Sequence, residues 1–342
     1  MNLKNLSAKI KIPKLLRKKL NNKKVSQIYR QFEKSINNKE KFVVAVSGGP
    51  DSLALAFLAK IYSVKNNILS KFLIVDHKLR DESTKEAKTI KKLLKQHSIN
   101  AKILTWKGKK PSSNIQSLAR KKRYELLCQE CDRLKVKNIL LGHHQDDLFE
   151  NFFMRFLRGS GLKGLISLGQ NNKIGDKNLI RPLIYQKKKD LKFLSKYVFN
   201  FYVNDPSNKD EKYLRVKIRK LIEELQKNGL NKKKFADTIK NLKHSNKVVD
   251  FYVNENLLKN SFFSNLNNQM ILNREFFQQS HEVIFRSFAE VIKLIGKKYY
   301  FARGKKLEKI ISAINNERFL KGTLGNCIIE KVNQTIIISK ER

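Results

Sequence analysis

The chain is short of cysteine, short of acid and without a long apolar run. Three cysteines in 342 residues give no disulfide framework, and they fit a reducing, cytoplasmic setting. No apolar run approaches the ~20 residues of a membrane-spanning helix. The basic first 40 residues lack the apolar stretch of a secretory signal. Acidic side chains number 30 against 73 basic ones, a formal net charge of +43. Solubility asks for far less, and the excess implies a polyanionic partner, namely nucleic acid. A lysine-rich composition explains lysine over arginine. It does not explain the shortage of Asp and Glu.

What is present is a regular alternation over residues 42–142. FVVAV (42–46), FLIVD (72–76), AKILTW (101–106) and NILLGH (138–143) read as strands. Between and after them, Ser52–Val64, Thr84–His97, Asn114–Leu134 and Gln145–Leu157 read as helices. Short strands apolar throughout are buried on both faces, which predicts a parallel sheet with helices on each side. Right-handed crossovers make this a doubly wound α/β domain. Its ligands belong beyond the C-terminal strand ends. After about residue 205 the pattern turns to lysine-faced helices over 211–316, with a β-hairpin at 326–339. No internal repeat is visible. The expected division is a basic extension or helix at 1–40, an α/β domain at 41–220 and a helical domain at 221–342.

Every polar signature of the α/β half lies at a strand end. The first is Ser47-Gly48-Gly49-Pro50-Asp51-Ser52. Glycines after a buried strand let backbone N–H groups approach a phosphate, and the helix that follows favours negative charge at its start. Ser47 and Ser52 can donate to phosphate oxygens. The Walker A pattern is absent, and so is a third glycine for a dinucleotide fingerprint. Asp51 is repulsive in such a cradle unless a cation bridges it, and Mg2+ suits carboxylate plus phosphate oxygens. The plainer reading is a tight turn with Asp51 capping a helix.

SGGPDS resembles the S-G-G-x-D-S signature of the PP-loop ATP pyrophosphatases. Further stretches follow in order: VDHKLR (75–80), NIQSLARKKRYELL (114–127), LGHHQDDLFEN (141–151), RFLRGSGLKGL (155–165), RPL (181–183) and DPSNKDEKYLRVKIR (205–219). Together they resemble the tRNA(Ile)-lysidine synthetases over about residues 42–219. Two positions depart from the usual pattern, Lys78 after VDH and Val216 after Tyr-x-Arg. Neither carries chemistry. The chain is also short for the full set of C-terminal domains of longer members.

The resemblance implies a fold, a reaction and a site. The fold is a PP-loop ATP pyrophosphatase sheet followed by a mainly helical, tRNA-binding domain with a short C-terminal β-hairpin. The reaction adenylates C2–O of the wobble cytidine (C34) of a CAU-anticodon isoleucine tRNA. L-Lysine then displaces AMP to give lysidine, and decoding changes from AUG to AUA. ATP and Mg2+ are the implied cofactors. The nucleotide-binding set is Ser47, Gly48, Gly49, Pro50, Asp51, Ser52 and His143, with Asp51 as metal anchor. Arg123 is the candidate phosphate partner. Asp147 and Glu150, three apart and so on one helix face, are the candidates for lysine binding and proton transfer. Arg215 and Arg219, four apart, face tRNA phosphate or nucleotide, or are simply a solvated basic face.

Other readings compete. Acidic residues such as Asp146 and Asp147 also stabilise helix starts. His143 and His144 beside them suggest zinc, but adjacent strand residues point to opposite faces and a third ligand at usual spacing is wanting. Cys128-Gln129-Glu130-Cys131 invites a tRNA 2-thiocytidine synthetase reading. Cysteines at i and i+3 inside a helix, however, are packing residues more often than ligands. A non-catalytic RNA-binding protein with a decayed loop is the remaining alternative. Retention of Asp51, Asp147 and Glu150 together speaks against it.

Overall fold

The computed structural model describes residues 12–341 apart from 37–38, 80–81, 109–114, 204–209, 211, 298–301, 303 and 317–318, and the side chains of 116 and 117. Arg80, Asn114 and most of the DPSNKDE stretch therefore lie outside the described residues. The chain divides into two compact units, Met1–Lys232 and Lys233–Arg342.

The first unit opens with two helices, α1 (Lys14–Leu20) and α2 (Lys23–Ser35). Their lysines suggest an arm, but their apolar residues keep a helical period. Val25, Ile28, Tyr29 and Phe32 recur at i, i+3, i+4 and i+7, and all are buried with Leu16 in the main core. Asn22 caps α2 by accepting N–H bonds from Lys24 and Val25.

β1 (Phe42–Val46) then leads into α3 (Pro50–Lys65), β2 (Ser70–Asp76), α4 (Ser83–Gln96) and β3 (Ala101–Thr105). α5 (Ile115–Arg133), β4 (Asn138–Leu140), α6 (Gln145–Phe156) and α7 (Leu162–Leu165) follow. β5 (Asn171–Ile174), β6 (Lys177–Ile180), α8 (Lys188–Phe199) and α9 (Leu214–Lys227) complete the unit. The sheet order is β3-β2-β1-β4-β6-β5. β1 is central and runs parallel to β2 (Phe42 opposite Ser70) and to β4 (Phe42 opposite Asn138). Only β5 is antiparallel, to β6. The four expected strands are present, and β4 stops at Leu140 rather than continuing to residue 143. β5 and β6 are additional. They are four-residue, Asn- and Lys-containing strands with little of the β-branched or aromatic signal that marks a strand. The order reverses at β1, so the crevice beyond its C-terminal end is the switch point where such sheets bind ligands.

The second unit starts from α10 (Lys232–Asn260) and carries β7 (Ser261–Ser264), β8 (Gln269–Leu272), α11 (His281–Ile295) and α12 (Gly304–Ile314). It ends with β9 (Lys321–Leu324), β10 (Cys327–Val332) and β11 (Thr335–Lys340). The expected terminal hairpin is β10–β11, with Ile329 opposite Ile338. It does not stand alone. It is the centre of a five-stranded antiparallel sheet ordered β7-β8-β11-β10-β9, and β7–β8 falls inside the stretch read as helical. That sheet and α11 enclose Phe276, Phe288, Ile292, Ile329 and Ile338. Among the described residues no helix is long and apolar enough to cross a membrane.

Candidate active site

The loop after β1 is shaped by its glycines. Gly48 has φ +86°, and a Cβ there would collide with the Ile90 side chain. Only glycine meets both conditions without strain. Pro50 opens α3 at a position whose missing N–H costs nothing. From the other side, Gly142 lies against the α3 start, where a Cβ would come within 3.1 Å of the Asp51 backbone. Glycine thus lets the end of β4 close on the phosphate loop.

The two serines line the cavity and bond to each other across the loop. Ser52 Oγ donates to Gly49 O at 3.0 Å and accepts from Ser47 N at 3.1 Å and Ser47 Oγ at 3.2 Å. A hydroxyl has one proton, so both serine protons close the loop on itself and are not held out toward a ligand.

A cavity of about 410 Å³ opens beyond these strand ends, lined by Ser47, Asp51, Asp76, His77, Arg123 and His143 among others. This is the size range of small-molecule sites. Its wall holds polar atoms that are buried and, among the described residues, without a hydrogen-bond partner: Asp51 Oδ1, His77 Nδ1, Arg123 Nε and His143 Nδ1. Such atoms are costly unless a ligand satisfies them. Burial pulls the Arg123 pKa down, yet a guanidinium keeps its charge. Burial also holds His143 well below its usual value, aided by Arg181, Arg120 and Arg123 and opposed by Asp147. His143 is therefore a neutral imidazole.

Asp76 serves the architecture of the wall. It accepts from Lys78 N at 3.0 Å, Ser83 Oγ at 2.8 Å and Thr84 Oγ1 at 2.7 Å, tying β2 to the start of α4. Burial pushes its pKa up, and these bonds more than reverse that, leaving it lowered.

Asp147 and Glu150 both sit on α6 but have different partners. Asp147 Oδ2 accepts the His144 N–H at 3.0 Å, half of a capping box whose other half is Asp146 N donating to His144 Nδ1 at 3.1 Å. Burial raises the Asp147 pKa, while His144, through its side chain and its backbone N–H, and Arg215 bring it below the usual value. Glu150 is 1% exposed. Its Oε1 accepts from Arg219 Nε at 2.6 Å, and its Oε2 lies 3.7 Å from Arg215 Nε. The carboxylate expected to face a lysine ammonium is thus held by α9, and Arg219 is engaged by protein.

The loop residues, Arg123 and His143 therefore converge on one cavity. Glu150, Arg215 and Arg219 form a cluster between α6 and α9. Two residues without an assigned role prove central. His144 Nε2 lies 3.4 Å from Asp51 Oδ2 and 3.6 Å from Asp147 Oδ2. Arg181, 3% exposed, anchors Gly169 O at 2.9 Å and Asn172 Oδ1 at 2.5 Å and adds its charge beside His143. The pattern His144-x-x-Asp147 at a helix start was the available signal for the cap.

Asp51 Oδ1 also tests whether Mg2+ fits. A buried carboxylate oxygen without a partner among the described residues, at the edge of the glycine-rich loop, is a donor that fits a nucleotide-borne Mg2+.

Comparison with known proteins agrees with this geometry. The family described as the PP-loop domain matches residues 18–225. The tRNA(Ile)-lysidine synthase of Orientia tsutsugamushi (strain Boryong) is 34% identical over 316 residues, spanning 88% of this chain and 70% of that protein. The tRNA(Ile)-lysidine synthase of Wolbachia pipientis wMel is 32% identical over 303 residues, spanning 87% and 70%. Among solved structures, the U34-tRNA thiolase of Methanococcus maripaludis, which has a 4Fe–4S cluster, superposes with a TM-score of 0.56 at 18% identity. That match covers 65% of this chain and 78% of that one, a likeness of fold. With a PP-loop model across most of its first unit and lysidine synthases aligned along most of its length, the chain belongs to the tRNA(Ile)-lysidine synthase family of PP-loop enzymes.

Proposed function

We propose that this protein joins L-lysine to C2 of the wobble cytidine, C34, of a CAU-anticodon isoleucine tRNA, converting ATP to AMP and pyrophosphate. The observation that carries the reading is one cavity that gathers the Ser47–Ser52 loop, Arg123 and His143 and adjoins Asp147 through His144.

The residues divide the work. Backbone N–H groups of the loop and the α3 N-terminus receive the ATP phosphates. The cytidine C2 oxygen attacks the α-phosphorus. An O–P bond forms, the bond to the β-phosphate breaks, and pyrophosphate leaves. Arg123 stands where its buried charge offsets the charge that builds up on departure. Mg2+ arriving with the nucleotide would be held by Asp51 Oδ1 and would screen the phosphates. His143, being neutral, accepts or donates a hydrogen bond without adding a further charge. The lysine amine then attacks C2, the C2–O bond breaks, and AMP departs. Asp147, held ionised by its neighbours, receives the ammonium and takes its proton. Glu150 fixes Arg219 and stands near Arg215, and so sets where those guanidinium charges lie beside Asp147.

The thiolation reading gains nothing from the cysteines. Cys131 is fully buried and its pKa is pushed up by that burial to about 12, and Cys128 is raised by the same cause. Buried protonated thiols are poor ligands and nucleophiles.

The test is transfer of radiolabelled lysine into an isoleucine tRNA transcript with a CAU anticodon, in the presence of ATP and Mg2+. Label dependent on ATP and absent from a C34→U transcript is expected. ATP cleavage without label would overturn lysine as the nucleophile.

A further inference from the structure

His144 is 3% exposed and its two ring nitrogens do separate jobs. Nδ1 accepts the Asp146 N–H at 3.1 Å and so caps α6. With that lone pair engaged, the proton that faces the carboxylates sits on Nε2. Nε2 faces Asp51 Oδ2 at 3.4 Å and Asp147 Oδ2 at 3.6 Å. Both distances exceed an ordinary N–H···O bond of about 2.9–3.0 Å: the contact to Asp51 is a long hydrogen bond, and the contact to Asp147 is electrostatic. The carboxylates come from different elements, the start of α3 and the start of α6. Gly142 adds to the same junction by allowing the β4 end to pack on the Asp51 backbone.

A cap alone does not need an imidazole. Ser, Thr, Asp and Asn are the usual caps, and their side chains are too short to reach two carboxylates beyond. The ring supplies length and a second nitrogen. It also leaves Asp51 with one oxygen engaged and the other, Oδ1, buried and unpartnered among the described residues. A carboxylate fixed at one oxygen presents the other in a set direction.

We propose that His144 is a positioning residue that joins Asp51 to Asp147, its Nε2–H on Asp51, its backbone N–H on Asp147 and its ring between the two, orienting the adenylation and lysine-transfer carboxylates together. The inference rests on the reading of Asp51 and Asp147 given above. It couples the two half-reactions physically. Whatever turns the imidazole disturbs the cation anchor and the lysine site at once.

Two substitutions separate the jobs. His144→Asn keeps an acceptor near the Nδ1 position and so keeps the cap, but loses the reach of Nε2. His144→Gln puts an N–H near the Nε2 position. Three readouts are taken on the full chain: thermal unfolding, the dissociation constant of Mn2+ with a non-hydrolysable ATP analogue by electron paramagnetic resonance, and the lysine KM with kcat. For His144→Asn the expected result is an unchanged unfolding midpoint, with Mn2+ affinity and lysine KM each worsened about tenfold, or about 1.4 kcal/mol. His144→Gln should recover both to within about threefold, a difference of about 0.7 kcal/mol. The proposal is overturned if His144→Asn leaves either constant at the wild-type value, or if Gln and Asn impair both equally. Asp51→Ala and Asp147→Asn run alongside. If Asp51→Ala keeps wild-type Mn2+ affinity, or Asp147→Asn keeps the wild-type lysine KM, the underlying reading of that carboxylate fails, whatever the His144 variants do.

Discussion

Glu150 and Arg219 are 69 positions apart in sequence and 2.6 Å apart in the fold. Burying the charge of a carboxylate that is 1% exposed is costly unless a cation pairs with it. Arg219 supplies it, with its own side chain 28% exposed, and burial of the guanidinium is outweighed by Glu150, which raises the Arg219 pKa. Breaking such a pair from the exposed side leaves a stranded buried charge. Arg219→Ala is therefore expected to cost about 2–3 kcal/mol, below the 3–5 of a fully buried pair because Arg215 and water can partly compensate. Urea denaturation reads this directly. A midpoint unchanged from wild type would mean that the pair does not form in solution. The same residues show where sequence reading stops. Spacing placed Asp147 and Glu150 on one helix, and Arg215 and Arg219 on another. That the second helix neutralises the first is a tertiary fact that no local pattern encodes. The His144 bridge is hidden for the same reason, because it depends on the α3 and α6 starts being neighbours.

Elements were legible in proportion to how continuous their apolar signal is. β1 and β2 are runs buried on both faces, so their identity and the loops at their ends followed together. α2 was legible only as part of a basic extension or helix, because lysines surround a buried stripe that keeps a helical period. β5–β6 and β7–β8 are four-residue strands, the first pair rich in Asn and Lys and the second reading SFFS and QMIL. β5 and β6 are strands because neighbours pair with them, not because of intrinsic preference, whereas β7–β8 is too short a signal to stand out from the helices on either side. The β2–α4 corner is held by a local device, Asp76 with its three donors. Its folded pKa lies below the unfolded value of about 3.9. A depressed carboxylate stabilises the fold fully above the unfolded pKa, and that contribution is lost as pH falls through the folded pKa. Asp76→Asn should therefore be clearly less stable than wild type at pH 7, and the gap should close as pH drops below about 4. Urea midpoints at pH 7, 5, 4 and 3 for both proteins check this. A gap that stays constant to pH 3 would mean that the Asp76 charge contributes nothing and only its shape matters.

At the scale of the molecule the dominant fact is charge. Residues 1–232 hold 53 basic and 20 acidic side chains, and residues 233–342 hold 20 and 10. The excess is therefore denser in the unit that carries the cavity than in the second unit. If that charge meets an RNA backbone, the first unit is expected to contribute to the contact as well as the second. Two explanations of the +43 charge diverge in their salt dependence. If the lysines meet phosphates, each contact releases counterions on binding, and affinity falls as a power of salt concentration. If they only reflect lysine-rich composition, affinity rests on a few hydrogen bonds and stacked bases and changes little. Only a few phosphate contacts already give a slope of log K against log salt of about −3 or steeper. Between 50 and 200 mM salt that is a loss of roughly sixtyfold. Filter binding of the full chain to a CAU-anticodon isoleucine tRNA over that range is expected to show it. A slope shallower than about −1 would assign the charge to composition, and tRNA capture would then rest on the shape and base contacts of the site.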